Sequence, residues 1–138
     1  MRLSLFTDYG LRALMRLAGA PERPLTTAQI ATEFRISRHH LTKIVRDLAA
    51  AGFVRTSRGA GGGLRLARPA ESITLGEVVR ALDRDGPLVE CFRADGGTCA
   101  LTPRCRLKWR LAAAREAFLR QLDATTLAEC AYPSPSTT

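Results

Sequence analysis

Thr26-Thr27-Ala28-Gln29-Ile30-Ala31-Thr32-Glu33-Phe34-Arg35-Ile36-Ser37-Arg38-His39-His40-Leu41-Thr42-Lys43-Ile44-Val45-Arg46-Asp47-Leu48-Ala49-Ala50-Ala51-Gly52 is the stretch that decides the fold. Thr26 followed three residues later by Gln29 forms a capping box, which opens a short helix ending near Phe34. Arg35 and Ile36 make a turn, and Ser37 caps a second helix that Gly52 stops. In that second helix Leu41, Ile44, Val45 and Leu48 share one face, while Arg38, His39, Lys43 and Arg46 lie off it. A short helix, a tight turn and a longer helix with a basic outer face form a helix-turn-helix, whose second helix enters the major groove of duplex DNA by its N-terminal end. Ser37, Arg38, His39, His40 and Lys43 occupy that end and are the candidate DNA contacts.

Upstream, residues 4–18 place Leu5, Tyr9, Ala13, Leu14 and Leu17 at helical spacing behind Ser4 as N-cap, and Gly19, Pro21 and Pro24 end that helix. Downstream, Phe53-Val54-Arg55-Thr56 and Leu64-Arg65-Leu66 alternate like two short strands around the glycine-rich Ser57–Gly63 turn, and together they read as a wing. Arg58, Gly62 and Arg65 are its candidate DNA contacts, the arginines by charge and the glycine by allowing close approach. The turn lacks the Lys-Ser/Thr ending of a phosphate-binding loop and sits between strands, so it is not a nucleotide site. Thr74 and Glu77 form another capping box for a helix through Val78, Val79 and Leu82, and residues 83–97 read as loop. A long helix is predicted from Thr102-Pro103 to about Leu127, with Leu107, Leu111, Ala114, Phe118 and Leu122 in one apolar stripe. Such a stripe on a small domain points to dimerisation, since helix-turn-helix proteins read half-sites related by a two-fold axis. The fold class is mainly α: a winged helix-turn-helix with a small β-wing and a long C-terminal dimerisation helix. Residues 1–70 form the DNA-binding region, residues 71–130 a loop and dimerisation helix of the same unit, and residues 131–138 a disordered tail.

The 138 residues, 46% hydrophobic, support one core. Residues 1–70 carry 12 Arg or Lys against 4 Asp or Glu, whereas residues 71–138 carry 9 against 9, so the whole net charge of +8 lies in the first part. A one-sided basic excess is the footprint of binding to a phosphate backbone. No apolar run is long enough for a membrane span, and Asp8, Arg12 and Arg16 interrupt the only N-terminal candidate for a signal, so a cytoplasmic location is expected. His39 and His40 are adjacent on a helix expected to face DNA, and no Cys or Ser lies in a recognisable triad context, so an enzyme is not expected.

Three of the four cysteines, Cys91, Cys99 and Cys105, fall within fifteen residues. In a chain with no export signal such thiols point to a metal or an iron–sulfur cluster rather than to disulfides. Three thiolates are one ligand short of a closed tetrahedral or cluster site. Cys105 is predicted in the first turn of the long helix, where free amides and the macrodipole favour a thiolate. Cys130, at the other end of that helix, reads as an incidental or buried thiol. The residues alone leave open a zinc-stabilised or thiol-redox regulator.

Phe6-Thr7-Asp8-Tyr9-Gly10-Leu11-Arg12-Ala13-Leu14, Ser37-Arg38 leading to Leu41 and Lys43-Ile44, Arg58-Gly59 with Gly62-Gly63 before Leu66, Thr74-Leu75-Gly76-Glu77-Val78-Val79 and the three cysteines resemble the Rrf-two family of dimeric winged-helix regulators. The likeness covers nearly the whole chain, and the opening motif with Leu101–Lys108 is most similar to the family's nitric-oxide-sensing repressors. The resemblance implies a homodimer on a double-stranded operator, an iron–sulfur cluster (four-iron four-sulfur favoured over two-iron two-sulfur) on Cys91, Cys99 and Cys105, and nitric oxide as the signal. It further implies a fourth ligand, Asp8 of the partner subunit, with Arg12 beside it as a supporting group. Four residues apart on a helix, Asp8 and Arg12 also suit an ordinary surface ion pair. Members that sense iron–sulfur supply use a histidine three residues after the last cysteine, where this chain has Lys108; a protonated lysine cannot ligate. The first cysteine gap, seven residues, is longer than the resemblance implies, and Gly96-Gly97 look like an insertion that a loop absorbs.

Overall fold

The computed structural model describes residues 2–134. Helix α1 (Leu5–Ala18) starts at Ser4, whose hydroxyl accepts a hydrogen bond from the Thr7 amide at 3.1 Å. Its Ala13, Leu14 and Leu17 are buried, while Leu5, expected among them, is exposed in the first turn. Helix α2 (Thr27–Phe34) has both halves of the Thr26/Gln29 capping box, and α3 (Arg38–Ala50) is capped by Ser37. The turn between them depends on Arg35, which closes α2 at φ 56°, a left-handed conformation that disfavours any residue with a Cβ. From there the Ile36 amide reaches the Ala31 carbonyl at 2.9 Å, and Ile36 drops into the core.

Strands β1 (Val54–Ser57) and β2 (Gly63–Leu66) pair antiparallel with Val54 opposite Leu66 and Arg55 opposite Arg65. Leu25 adds a third edge by exchanging hydrogen bonds with Leu64 at 2.7 and 3.1 Å, so the wing is tied to the segment before α2. The tight tip needs Gly62, because a Cβ there would stand 2.5 Å from the Ser57 carbonyl oxygen. Helix α4 (Leu75–Leu82), opened by the Thr74/Glu77 box, packs against α1. The Thr74 amide and then the Arg68 guanidinium hold the Glu77 carboxyl below its ordinary pKa, so that box stays charged. Among the described residues no helix is long and apolar enough to cross a membrane.

The long C-terminal helix differs from expectation at both ends. Pro103 belongs to a separate 3-10 turn, Thr102–Arg104, and Cys105, at ψ 110°, is the extended residue that caps α5 (Arg106–Asp123). At the other end the chain leaves the helix at Ala124, and a further capping box, Thr126/Glu129, opens a 3-10 turn over Leu127–Cys130. The reason is packing. The Leu127 amide donates to the Ile73 carbonyl at 2.8 Å and its side chain is fully buried, which a straight helix could not achieve. Burying one leucine is worth about 2 kcal/mol, more than the tenths of a kcal/mol separating most residues in helix propensity. Of α5 only Leu119 is buried; Leu111, Phe118 and Leu122 are half-buried, Ala114 is exposed, and Leu107 and Trp109 are 62% and 70% exposed. The expected tail begins with an anchored residue: the Tyr132 amide donates to the Met15 carbonyl at 2.9 Å and its ring lies against Phe34. The last four residues of that tail, 135–138, lie outside the described residues.

Arg35→Gly removes the left-handed penalty of about 1–2 kcal/mol at the cost of about 0.5–1 kcal/mol in backbone entropy. Urea denaturation is expected to show a net gain in stability; a loss would mean that the Arg35 side chain holds the turn.

Candidate DNA-contacting surface and cysteine loop

The first turn of α3 presents Arg38 and His39 to solvent, and Lys43 follows one turn later, also exposed. Ser37 is committed to capping: its hydroxyl accepts from the His40 amide at 3.3 Å. His40, expected beside the others, turns inward. Its ring lies 6.1 Å from Phe6 and 5.6 Å edge-on from Tyr9, so the structure makes it a brace between α3 and α1. Helical spacing explains the difference, because His40 and Asp47 lie in line with the buried Ile44, on the side of the stripe that meets α1.

On the wing, Arg58 is exposed in the tip beside Gly62. Arg65 is half-buried, and its guanidinium donates to the Pro21 carbonyl at 3.2 Å. Sequence reading passed over Arg55, the exposed residue directly across the ladder from Arg65. The period-two alternation of both strands could have flagged it, but only the register shows that the two arginines oppose each other.

Cys91 sits in a 3-10 turn, Glu90–Phe92, within the stretch expected as plain loop; Cys99 follows in loop, and Cys105 caps α5. All three are half-buried free thiols, as is Cys130. Among the described residues no three Cys, His, Asp or Glu side chains are gathered closely enough to hold a metal ion, so this conformation of a single chain does not converge the three thiols. The loop is nevertheless ordered by its own polar groups. One oxygen of Glu90, next to Cys91, accepts from both the amide and the hydroxyl of Thr98, next to Cys99, each at 2.7 Å. The Thr98 hydroxyl first, and its amide second, hold the Glu90 carboxyl below its ordinary pKa. Gly96 and Gly97 adopt φ of 78° and 64°, which folds the two extra residues into a tight turn and leaves the Glu90–Thr98 closure intact. Between Cys99 and Cys105, the Thr102 hydroxyl is buried without a hydrogen-bond partner, and an open depression of about 540 Å³ is lined by Leu101, Arg104 and Cys105 among others. Three free thiols, an unsatisfied hydroxyl and adjoining open space suit a thiolate-held group.

Asp8 and Arg12 form the bidentate pair foreseen on α1, at 2.7 and 3.0 Å, with Asp8 still more than a third exposed. Arg12 also lies 5.4 Å over the Tyr9 ring, the same ring that His40 meets. A second connection was invisible in sequence. Arg84, in the segment that leaves α4 toward Cys91, pairs with Asp47 of α3 and stacks 4.5 Å over Phe6 of α1. The turn of α1 that bears Asp8 and the segment leading to the cysteines therefore both abut the reading helix.

A winged helix-turn-helix with this basic first turn and glycine-tipped wing defines the class as a transcriptional regulator, and comparison with known proteins agrees. Residues 3–132 match the model of Rrf2, described as an iron-dependent transcriptional regulator. The chain is 48% identical over 130 residues, 94% of its length and 88% of the other's, to the HTH-type transcriptional regulator NsrR of Geobacillus kaustophilus. Similar solved structures include CymR, the global cysteine regulator of B. subtilis (TM-score 0.75, 32% identity, covering 95% of this chain and 96% of that one), and T. potens IscR (0.73, 28%, 94% and 85%). The chain belongs to the Rrf2 family of transcriptional regulators. Its relatives are regulators and not enzymes.

Glu90→Ala removes both bonds to Thr98. In the metal-free protein, amide hydrogen exchange at Thr98 is expected to rise at least tenfold, with α1 and α3 unaffected; unchanged exchange would show that the loop is held by something else.

Proposed function

We propose that this protein is a cytoplasmic, homodimeric DNA-binding repressor that loses its operator in response to nitric oxide. Its effector is an iron–sulfur cluster, four-iron four-sulfur rather than two-iron two-sulfur, held by Cys91, Cys99 and Cys105 with Asp8 of the partner subunit. The observation that carries the reading is the loop stapled by Glu90 and Thr98, with free thiols at its start, its end and the cap of α5, beside an unsatisfied hydroxyl. The name of the 48% identical relative, NsrR, is that of the nitric-oxide-sensing repressors which the opening motif resembles. When bound, the cluster would supply iron that reacts with nitric oxide.

The chain's own residues supply the rest. A carboxylate oxygen is a harder and more replaceable ligand for iron than a thiolate, so Asp8 is the ligand suited to let go. Asp8 shares its helical turn with Phe6 and Tyr9, which brace His40 of α3. Engaging Asp8 in one subunit therefore biases that subunit's reading helix, and Arg12 holds the carboxylate when it is free. The exposed apolar side chains of α5, Leu107 and Trp109, suit coverage by a second copy. A hundredfold change in operator affinity requires a bias of about 2.7 kcal/mol, within reach of one metal–ligand bond.

Anaerobic purification is expected to give a brown protein whose visible absorption and operator binding disappear together on titration with nitric oxide. A colourless protein containing zinc would overturn the cluster and favour the zinc-stabilised reading. Asp8→Ala is expected to retain iron-dependent colour but to uncouple nitric oxide from operator release; unchanged release would remove Asp8 from the switch. On DNA, Arg38→Ala should relax base preference at one position by about 1–3 kcal/mol, while Arg58→Ala should weaken all sequences alike. If gel shifts find neither effect, the reading surface lies elsewhere.

A further inference from the structure

The outer face of the wing carries charge that neither the reading helix nor the cysteine loop uses. The ladder sets Arg55 directly opposite Arg65, and their neighbours Val54 and Leu64 turn into the core. Alternation puts both guanidinium groups on the other face. Like charges at directly opposed positions, with Cβ atoms about 5 Å apart, destabilise a pair of strands. Among the described residues no carboxylate answers this pair: Arg65 reaches only the Pro21 carbonyl, and the Arg55 side chain makes no hydrogen bond or ion pair.

Both arginines line one open cleft of about 470 Å³, together with Arg68 and a floor of small apolar residues that includes Ala18, Ala20 and Ala70. Arg68 is fixed at the rim by its hydrogen bonds to Glu77 at 2.9 Å and to the Ser72 carbonyl at 3.1 Å. One acid, Glu71, stands in the lining and pairs with none of the three arginines. Because Glu77 already answers Arg68, the cleft carries two unanswered guanidinium groups, those of Arg55 and Arg65, against one lining carboxylate.

We propose that this cleft is a phosphate-binding site in which Arg55 and Arg65 together take one phosphate of the DNA backbone. The proposal rests on the DNA-binding reading given above. Guanidinium forks match phosphate oxygens in geometry as well as charge, so a bound phosphate would turn the repulsion across the ladder into a shared attraction. The floor of alanines carries no polar side chain and leaves room for the group, which would replace the Pro21 carbonyl as the acceptor of the Arg65 guanidinium. DNA is favoured over a free anion because the site lies on the hairpin whose tip carries Arg58, and because the cleft is open rather than closed. One phosphate contact contributes about 0.9 to the slope of log affinity against log salt.

The test is operator binding by fluorescence anisotropy from low to moderate salt, comparing the wild type with Arg55→Gln, a substitution at an exposed position. A fourfold rise in salt should weaken the wild type more than the variant, by as much as about 3.5-fold where loss of Arg55 loses the whole phosphate contact, with the order of preference among half-site base substitutions unchanged. Arg55→Lys should restore most of the slope. Equal slopes for wild type and Arg55→Gln, with operator binding otherwise intact, overturn this proposal while leaving the DNA-binding reading standing. Failure of the wild type to bind any duplex overturns both. Inorganic pyrophosphate, titrated by calorimetry, separates the remaining source: binding that Arg55→Gln abolishes, together with equal DNA slopes, would assign the cleft to a free phosphate ligand and overturn the backbone contact.

Discussion

Helix α1 is the element on which the rest of the structure depends. Its Ala13, Leu14 and Leu17 are buried against α3, α4, β2 and the Leu127 turn, so the reading helix, the wing and the C-terminal segment are all positioned from one surface. That burial also draws Arg16 into the interior, where it is 2% exposed and pairs with Glu33 at 3.0 Å while one of its nitrogens finds no partner. A guanidinium left partly unsatisfied costs free energy, and the packing on either side of it compensates. The first turn of α1 faces two ways. Phe6 and Tyr9 point toward α3, and Asp8, in between, remains reachable from outside.

The two halves of the molecule are held together by different means. The reading head and wing are fastened by buried leucines, isoleucines and valines, each worth a few kcal/mol and indifferent to salt or redox state. The segment from Asp83 to Cys105 contributes no fully buried residue and is shaped by a carboxylate, a hydroxyl and two left-handed glycines. Solvent-exposed hydrogen bonds of that kind hold less firmly than a packed core, so this segment can rearrange around a bound group without unfolding the head. Its connection to the head runs through Arg84, which meets Asp47 and Phe6. The proposed sensing site is thus soft where it would bind and tied to the head where it would report.

Much of this was legible in the chain. The capping boxes at Thr26/Gln29 and Thr74/Glu77 form as read, because they need only four consecutive residues and a free helix end. The strands flank the glycine tip as the alternation implied. What failed was the C-terminal helix. Its expected bounds followed Pro103 and an unbroken apolar stripe, whereas the pull of Leu127 into the core ended it at Asp123. The inward turn of His40 was illegible for a related reason: adjacent residues on a helix point about 100° apart, so composition does not tell which of two histidines meets a neighbouring helix.

The sequence by itself determined the order and kind of the elements, the basic first part and the chemistry of three thiols on one loop, since each follows from local spacing and side-chain type. Tertiary structure alone decided that Arg55 opposes Arg65, that Arg84 straps the loop's approach to α3, and that the three thiols of a single chain do not converge. The physical reason is range. Caps, turns and periodicity are satisfied within a few residues, whereas opposed arginines, a strap across 37 positions and the direction of a helix end depend on which distant surfaces are buried together.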